Sequence, residues 1–191
     1  MLRLLKQAAA GAATVLLLAA TPAYSSTPEE ASLSTGTAVT LRPGQFVWEA
    51  SAPTSGPVEI VVSIPLQVAY VYRAGTLAGV STISSGAPGN DTPTGTFEIL
   101  QKRRDHRSNL YNNAPMPFMQ RLTWDGIALH AGEIPGHPAS HGCIRLPMAF
   151  ARELFGMTRL GAKVHVVDSA PTPEEAVALL RDSPATQLAS N

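Results

Sequence analysis

The stretch Val58-Glu59-Ile60-Val61-Val62-Ser63-Ile64 carries an apolar side chain at every second position. A period of two predicts a β-strand, because successive side chains of a strand point to opposite faces. Two further β-rich runs follow at 67–73 and 76–84, and Ala74-Gly75 between them supplies a hairpin turn. This region therefore predicts a mainly β fold.

The pattern continues on both sides of the hairpin. It becomes β-like at Phe46, and further strands are predicted at 96–101, 127–130 and 163–168. The chain contains 15 Gly and 16 Pro among 191 residues, more than the average share of about 12 % for these two residues. That excess indicates many turns between short strands.

Two short helices are predicted in the last third of the chain. Pro147 can occupy the first turn of a helix over 147–155, and Gly156 provides its C-terminal stop. Thr172-Pro173-Glu174-Glu175 has the pattern of a second helix start, with acidic residues in the first turn. We interpret 169–191 as a helical tail.

The N-terminal segment 1–25 has the pattern of a signal peptide. Arg3 and Lys6 precede an apolar run over 8–20, and small residues then offer a cleavage site. The run is shorter than the roughly 20 residues that a membrane-spanning helix needs. We therefore expect export without a stable membrane span after cleavage, the alternative being an uncleaved anchor. The predicted division is a signal peptide at 1–25, a linker at 26–45, a catalytic domain at 46–168 and the tail at 169–191.

The charge balance gives no electrostatic case for a nucleic-acid partner. Lys and Arg number 14, and so do Asp and Glu. A protein that binds the phosphate backbone normally shows a basic excess on one face.

The segment Ser140-His141-Gly142-Cys143-Ile144-Arg145 contains the only cysteine of the chain. An exported thiol without an internal disulfide partner, close to histidines, suits nucleophilic chemistry better than a structural role. Such a thiol needs a base, and both His130 and His141 are candidates that spacing alone does not separate. Gly142 permits a tight turn, and exposed N–H groups there could form an oxyanion hole.

A zinc site is the alternative interpretation of the same residues. His130, His137, His141 and Cys143 could supply four ligands, but their spacing does not match the usual ligand pairs at both ends. We therefore predict no metal. A buried structural cysteine is a further alternative.

Residues 102–124 differ from the rest of the β region. A basic run from Lys102 to Arg107 precedes a polar, proline-rich stretch that contains Tyr111 and Phe118. A loop of this length inside a compact domain is usually functional or disordered. We interpret it as a lid over a site, the alternative being a solvated charge run followed by an ordinary surface loop.

His130 together with 140–145 resembles the active-site motif of the L,D-transpeptidases with a YkuD-type catalytic domain. Thr92-Pro93-Thr94-Gly95-Thr96-Phe97 resembles the Thr-Pro-x-Gly element of that family, and Gly161-Ala162-Lys163-Val164 resembles its closing strand. The resemblance extends over about 58–168. It implies a compact β-sandwich or barrel-like arrangement of short strands with a few helices.

The resemblance also implies roles for individual residues. Cys143 would be the nucleophile and His130 the proton donor and acceptor, with the Ala131 carbonyl orienting the His130 ring. His141 would support the thiol, and Gly142 would contribute its backbone to the oxyanion hole.

Four residues are candidates for substrate binding. Arg145 would hold a substrate carboxylate or the structure of the site, the alternative being an ion pair without substrate contact. For Ser140 the alternative is a hydrogen bond within the turn. Tyr111 and Phe118 are the aromatic candidates of the 102–124 segment.

The implied function is that of an enzyme of the periplasm or cell envelope that needs no cofactor. Cys143 would form a thioester with a peptide stem of peptidoglycan, and an amine of a second stem would complete a 3→3 cross-link. The acceptor could instead be an envelope lipoprotein or water, and water would make the enzyme a carboxypeptidase or amidase. A zinc metallohydrolase and a non-catalytic wall-binding protein are the alternatives from other classes.

Overall fold

The computed structural model describes residues 40–181, which form ten strands and two helices. In chain order these elements are β1 (Phe46–Trp48), β2 (Val58–Ser63), β3 (Val68–Arg73), β4 (Thr76–Thr82), β5 (Gly95–Glu98), β6 (Gln101–Arg103), β7 (Met119–Arg121), β8 (Ala128–Ala131), β9 (Ile144–Leu146), α1 (Met148–Met157), β10 (Lys163–Val167) and α2 (Pro173–Arg181).

The larger sheet has six strands in the order β1-β4-β3-β2-β10-β5. Strands β2 and β10 are parallel, and the other neighbours are antiparallel. Strand β2 confirms the alternation seen in the sequence, since Ile60 and Val62 face the main core while Val61 faces a second apolar cluster. Both faces of the sheet are therefore covered.

The smaller sheet has the order β6-β7-β8-β9, with β8 and β9 parallel. Residues of both sheets and of α1 share the main core. Trp48 stacks on Phe150 of α1 with 4.3 Å between ring centroids, and a Cβ on Gly79 would lie 2.3 Å from the Trp48 ring. The predicted mainly β sandwich of short strands with a few helices is confirmed.

Helix α2 covers the outer face of the larger sheet. The hydroxyl of Tyr70 donates to the Pro171 carbonyl at 3.1 Å, and that of Tyr72 donates to the Pro173 carbonyl at 2.6 Å. Thr172 and Glu175 form a capping box, in which each side chain accepts from the backbone N–H of the other. The predicted helix start is confirmed.

The strand predicted at 96–101 is divided between the two sheets. The Ile99 N–H donates to the Ala162 carbonyl at 3.0 Å, beside the larger sheet, while the Leu100 N–H donates to the Arg121 carbonyl at 2.8 Å in the smaller one. The chain thus crosses between the sheets at this dipeptide. Gly156 was also wrongly predicted as a stop, because α1 continues to Met157.

The 102–124 segment is more regular than predicted, because β6 and β7 pair antiparallel at its two ends. Lys102, which the alternative interpretation placed in a solvated charge run, instead donates from Nζ to the carbonyls of Phe155 and Thr158, both at 2.6 Å. The ammonium therefore satisfies carbonyl groups at the C-terminal end of α1.

The predicted signal peptide, most of the linker and the last residues of the tail lie outside the described residues. Within 40–181, neither helix has the length and apolar character that crossing a membrane requires.

Candidate active site

A cavity of about 490 Å³ lies among β8, the segment before and within β9, and the loop that joins β6 to β7. Cys143, His130, His141, Arg145 and Tyr111 all line it. The structure therefore brings together most of the residues that the sequence singled out.

Strand β8 directs His130 toward this cavity. Leu129 and Ala131 belong to the main core, whereas Ala128 packs in a separate cluster that also contacts Cys143. Because side chains alternate along a strand, His130 shares the face of Ala128. Its side chain is largely buried but reaches the cavity wall.

A hydrogen bond to its own backbone fixes the orientation of the His130 ring. Nδ1 lies 2.8 Å from the Ala131 carbonyl, the contact that the resemblance implied. Since a carbonyl can only accept, Nδ1 carries the hydrogen and Nε2 is the basic nitrogen of the neutral ring. Burial lowers the pKa of His130 and outweighs the opposing effect of the Ala131 hydrogen bond. The imidazole is therefore neutral near pH 7.

Cys143 is half-buried, and its Sγ donates to the Gly126 carbonyl at 3.4 Å. Burial raises the pKa of the thiol, although a backbone hydrogen bond from Ala128 and the charges of Arg121 and Arg145 act in the opposite direction. The resting pair is therefore a neutral thiol and a neutral imidazole. A preformed thiolate–imidazolium pair is not stabilised in this state.

The loop that carries Cys143 is closed by its own hydrogen bonds. The Ser140 hydroxyl donates to the Cys143 carbonyl at 2.5 Å and accepts the Gly142 N–H at 3.1 Å. Gly142 has a φ of +107°, and a Cβ there would lie 2.8 Å from Ile127. Ser140 thus makes the hydrogen bonds within the turn that were the alternative to substrate binding. Its hydroxyl hydrogen is therefore not available to a substrate.

The Gly142 amide, expected at the oxyanion hole, is engaged within this loop. By contrast, no hydrogen bond occupies the backbone N–H of His141 or Cys143 in residues 40–181. These two backbone amides of the cysteine loop are therefore donors without a hydrogen bond in the described residues.

Thr92 joins the loop of residues 85–95 to the cysteine loop. Its buried Oγ1 accepts the Gly86 N–H at 2.9 Å and donates to the Gly142 carbonyl at 2.8 Å. The Thr-Pro-x-Gly pattern identified this threonine in the sequence, but no role was assigned to it. Its contact with Gly142 depends on a fold that brings these distant segments together.

The two aromatic candidates have different positions. The Tyr111 ring stacks on His141 with centroids 4.5 Å apart, and both residues line the cavity. The prediction for Phe118 is wrong: its ring packs against Phe155 and the main core, with centroids 5.8 Å apart, and it does not line the cavity. The side chain is half-buried against the main core.

Two charged cavity residues have no ion-pair partner. Neither the Arg145 guanidinium nor the Glu133 carboxylate makes a hydrogen bond or a salt bridge within residues 40–181. The ion-pair alternative for Arg145 is therefore not observed. Glu133 was not recognised in the sequence, where only its position three residues after His130 could have indicated it.

The ligand set of the zinc alternative is not assembled. In the described part of the chain, no three His, Cys, Asp or Glu side chains are grouped closely enough to hold a metal ion. His137 is exposed and outside the cavity lining, with Nδ1 3.1 Å from the Pro138 carbonyl.

Comparison with known proteins gives a consistent result. Residues 57–166 match the sequence model of the L,D-transpeptidase catalytic domain, YkuD. No curated protein sequence matches significantly.

Three solved structures are similar to the chain. An L,D-transpeptidase from Mycobacterium tuberculosis H37Rv is 25% identical with a TM-score of 0.55, over 58% of this chain and 57% of that one. One from Stackebrandtia nassauensis is 25% identical with a TM-score of 0.55, over 63% and 60%. The LD transpeptidase LdtMt1 in complex with imipenem is 25% identical with a TM-score of 0.54, over 58% of each chain. The chain thus spans less than two thirds of each.

Proposed function

Because the chain belongs to the L,D-transpeptidase catalytic domain family, we propose that it is a cysteine-dependent acyltransferase acting on peptidoglycan stem peptides. The observation that carries this proposal is the placement of Cys143 and His130 in one cavity, with His130 Nδ1 held by the Ala131 carbonyl. This arrangement supports Nε2 as the nitrogen that exchanges a proton with the reacting groups.

In the first step, the Cys143 sulfur attacks the carbonyl of the L-centre of the third stem residue while its proton passes to His130. The neutral resting pair fits this order, because thiol deprotonation accompanies attack. The free amides of His141 and Cys143 would stabilise the oxyanion. His130 then protonates the departing amine, the C–N bond breaks and terminal D-Ala leaves a thioester on sulfur.

In the second step, an amine attacks the thioester and gives its proton to His130. A C–N bond forms, the C–S bond breaks, and the sulfur recovers its proton. A second stem would yield a 3→3 cross-link and an envelope lipoprotein would yield an anchored protein. Water would yield a trimmed stem, as in a carboxypeptidase or amidase.

Arg145 is the proposed binding group for a substrate carboxylate, supported by a guanidinium that lines the cavity without an ion-pair partner. The stacked Tyr111 and His141 rings form another part of the wall. We further propose export to the periplasm or cell envelope, supported by the signal-peptide pattern of 1–25.

Replacement of Cys143 by Ala tests the proposal directly. We expect the variant to fold but to lose all acyl transfer, since no other group can form the thioester. Mass spectrometry of muropeptides from cells that express each protein should show new dimers, tripeptides or stems that carry attached lipoprotein only with the wild type. Incubation with imipenem, the compound in the LdtMt1 structure, should add mass to the wild type alone.

The matched control is His137→Ala, which removes an exposed imidazole outside the cavity. We expect it to retain full activity. Loss of activity in His137→Ala together with retention in Cys143→Ala would contradict the cysteine mechanism and favour the zinc alternative.

A further inference from the structure

A second cavity, of about 320 Å³, adjoins the catalytic one. Pro115 and Pro117 line both cavities, so the two are direct neighbours. The remaining lining residues of the second cavity are Asp105, His106 and Arg107, which follow strand β6. The proposed acyl transfer makes no use of this second cavity.

The register of the smaller sheet places two more arginines on the catalytic face of that sheet. Arg103 pairs with Met119, and Arg121 pairs with Ala128. Met119 and Ala128 belong to the apolar cluster that contacts Cys143. Because residues directly opposite each other in a sheet share a face, the side chains of Arg103 and Arg121 extend from this same face.

These two arginines contribute to a positive potential at the second cavity. Burial is the main cause of a lowered pKa in His106, and the charges of Arg121 and Arg103 lower that pKa further. Arg107 adds a third guanidinium, on the cavity wall itself. Asp105 is the one carboxylate among the residues that line this cavity, so positive charge predominates.

The charges of the three arginines are not cancelled by ion pairs, since none of them forms a salt bridge within residues 40–181. Arg121 donates from Nε to the Gln101 side-chain oxygen at 3.2 Å, and its guanidinium lies 5.9 Å from the Trp124 ring centroid. Arg107 donates from Nη1 to the Asn113 carbonyl at 3.0 Å. These partners are neutral, so they hold the guanidiniums in place and leave their charges available.

We propose that Arg103, Arg107 and Arg121 form a docking surface, here called the basic surface, for a peptide polymer that carries several carboxylates. A guanidinium matches the geometry of a carboxylate and can bind it through two hydrogen bonds. The choice of partner rests on the proposed function, because the stems of polymerised peptidoglycan supply such carboxylates. The basic surface holds the protein on this polymer while another stem occupies the catalytic cavity.

Docking of this kind extends the proposed function from the reacting bond to the polymer around it. Binding at two places raises the effective concentration of further stems at the catalytic cavity. Exposed pairs of opposite charge contribute little individually and are screened by salt. We therefore expect weak, salt-dependent binding that needs several carboxylates together.

Sedimentation with purified peptidoglycan sacculi tests the proposal on the full chain carrying Cys143→Ala, which cannot form a thioester with the stems. The bound fraction at increasing protein concentration gives an apparent Kd. This Kd should rise about tenfold when NaCl is raised from about 0.05 M to about 0.5 M. Sacculi whose carboxylates have been converted to amides should bind about fivefold more weakly or less.

Two substitutions at the surface should change the apparent Kd in opposite directions. Arg103→Gln removes one positive charge and should weaken binding about threefold. Asp105→Asn removes the opposing carboxylate and should strengthen binding about twofold. Both side chains are exposed and make no hydrogen bond or ion pair in the described part of the chain, so neither change disturbs the packing.

Arg104→Gln is the matched control, because it removes the same charge from the neighbouring exposed position. The Arg104 guanidinium lies 6.0 Å from the centroid of the Phe118 ring, and that ring packs against the main core instead of the cluster that contacts Cys143. The apparent Kd of this variant should change by less than about 1.5-fold.

The outcomes separate docking from catalysis. Equal weakening by Arg103→Gln and Arg104→Gln would overturn the basic surface, because net charge alone would then explain the binding. Undiminished binding to amidated sacculi would overturn the assignment of carboxylates as the partner. If the wild type transfers no acyl group but the variants bind as expected, the proposed function fails while docking at the basic surface is supported.

Discussion

His130 and His165 are the two buried histidines of the described region, with 8% and 5% of their surface exposed. Burial is the main cause of a lowered pKa in both. His130 Nδ1 bonds the Ala131 carbonyl and the residue lines the cavity. His165 lies in β10, and its Nδ1 is 3.1 Å from the Thr96 hydroxyl. Its Nε2 is buried without a hydrogen bond and lies 3.8 Å from a carboxylate oxygen of Glu59.

The comparison shows that burial and a lowered pKa do not by themselves identify a catalytic histidine. Both properties follow from removal of the ring from water. The two residues differ in their access to the cavity. His130 opens onto the cavity that contains the Cys143 thiol, whereas His165 is enclosed by strands. Three predictions test this contrast.

The largest expected effect is on acyl transfer. His130→Asn should lower the rate of thioester formation by about 10²–10⁴-fold, the usual contribution of a positioned acid–base group. The release of D-Ala from a tetrapeptide stem measures this rate. His165→Asn is the matched control and should change it by less than about threefold. Comparable losses in both variants would show that access does not distinguish the residues.

An intermediate effect is expected on stability in acid, where the two histidines should behave alike. Each has a folded-state pKa below its ordinary value of about 6.5. The unfolded chain therefore binds protons more readily, and each histidine removes stability as the pH falls from 7 to 5. The limit is about 1.4 kcal/mol per histidine for each pH unit.

Urea unfolding at pH 7 and pH 5 measures this loss. It should be smaller in both His130→Asn and His165→Asn than in the wild type. Burial raises the pKa of Glu59, so this carboxyl adds stability as the pH falls. The test therefore compares the loss of stability of each variant with that of the wild type. A larger acid loss in either variant would contradict the assigned direction.

The smallest effect is expected when His165 and its partner are replaced together. His165→Leu with Thr96→Val removes a donor–acceptor pair and the unbonded Nε2 at once. Replacing both partners by apolar groups of similar shape is nearly neutral, so the free energy of unfolding at pH 7 should change by less than about 1 kcal/mol. Calorimetry or urea unfolding measures it. A loss of several kcal/mol would show that the pair stabilises the sheet.

The sequence predicted the elements whose signals are local. The strand at Val58–Ser63 followed from alternation, and the hairpin turn followed from Ala74-Gly75, both of which have positive φ. The division of 96–101 between two sheets was not predictable, because it depends on Ala162 and Arg121 as separate partners. Local periodicity contains no information about such partners.

The prediction of the site residues was limited in the same way. Cys143 and His130 stood out because a lone thiol near imidazoles is chemically unusual, and the family motif connected them. Glu133 lines the cavity but was missed, because an isolated carboxylate is ordinary in a sequence and no local pattern indicates its position. Phe118 was misassigned because an aromatic residue near a site can equally pack into the core, as this one does against Phe155.

Strand β10 has a consequence for how the chain folds. It lies between β2 and β5, so residues 163–167 pair with strands that are synthesised much earlier. Pairings of such long sequence separation slow folding, and unpaired strand edges invite association with other chains. Until β10 docks, β2 has an open edge and β5 has no partner in the larger sheet. The nascent protein is therefore most prone to aggregate just before its last strand is in place.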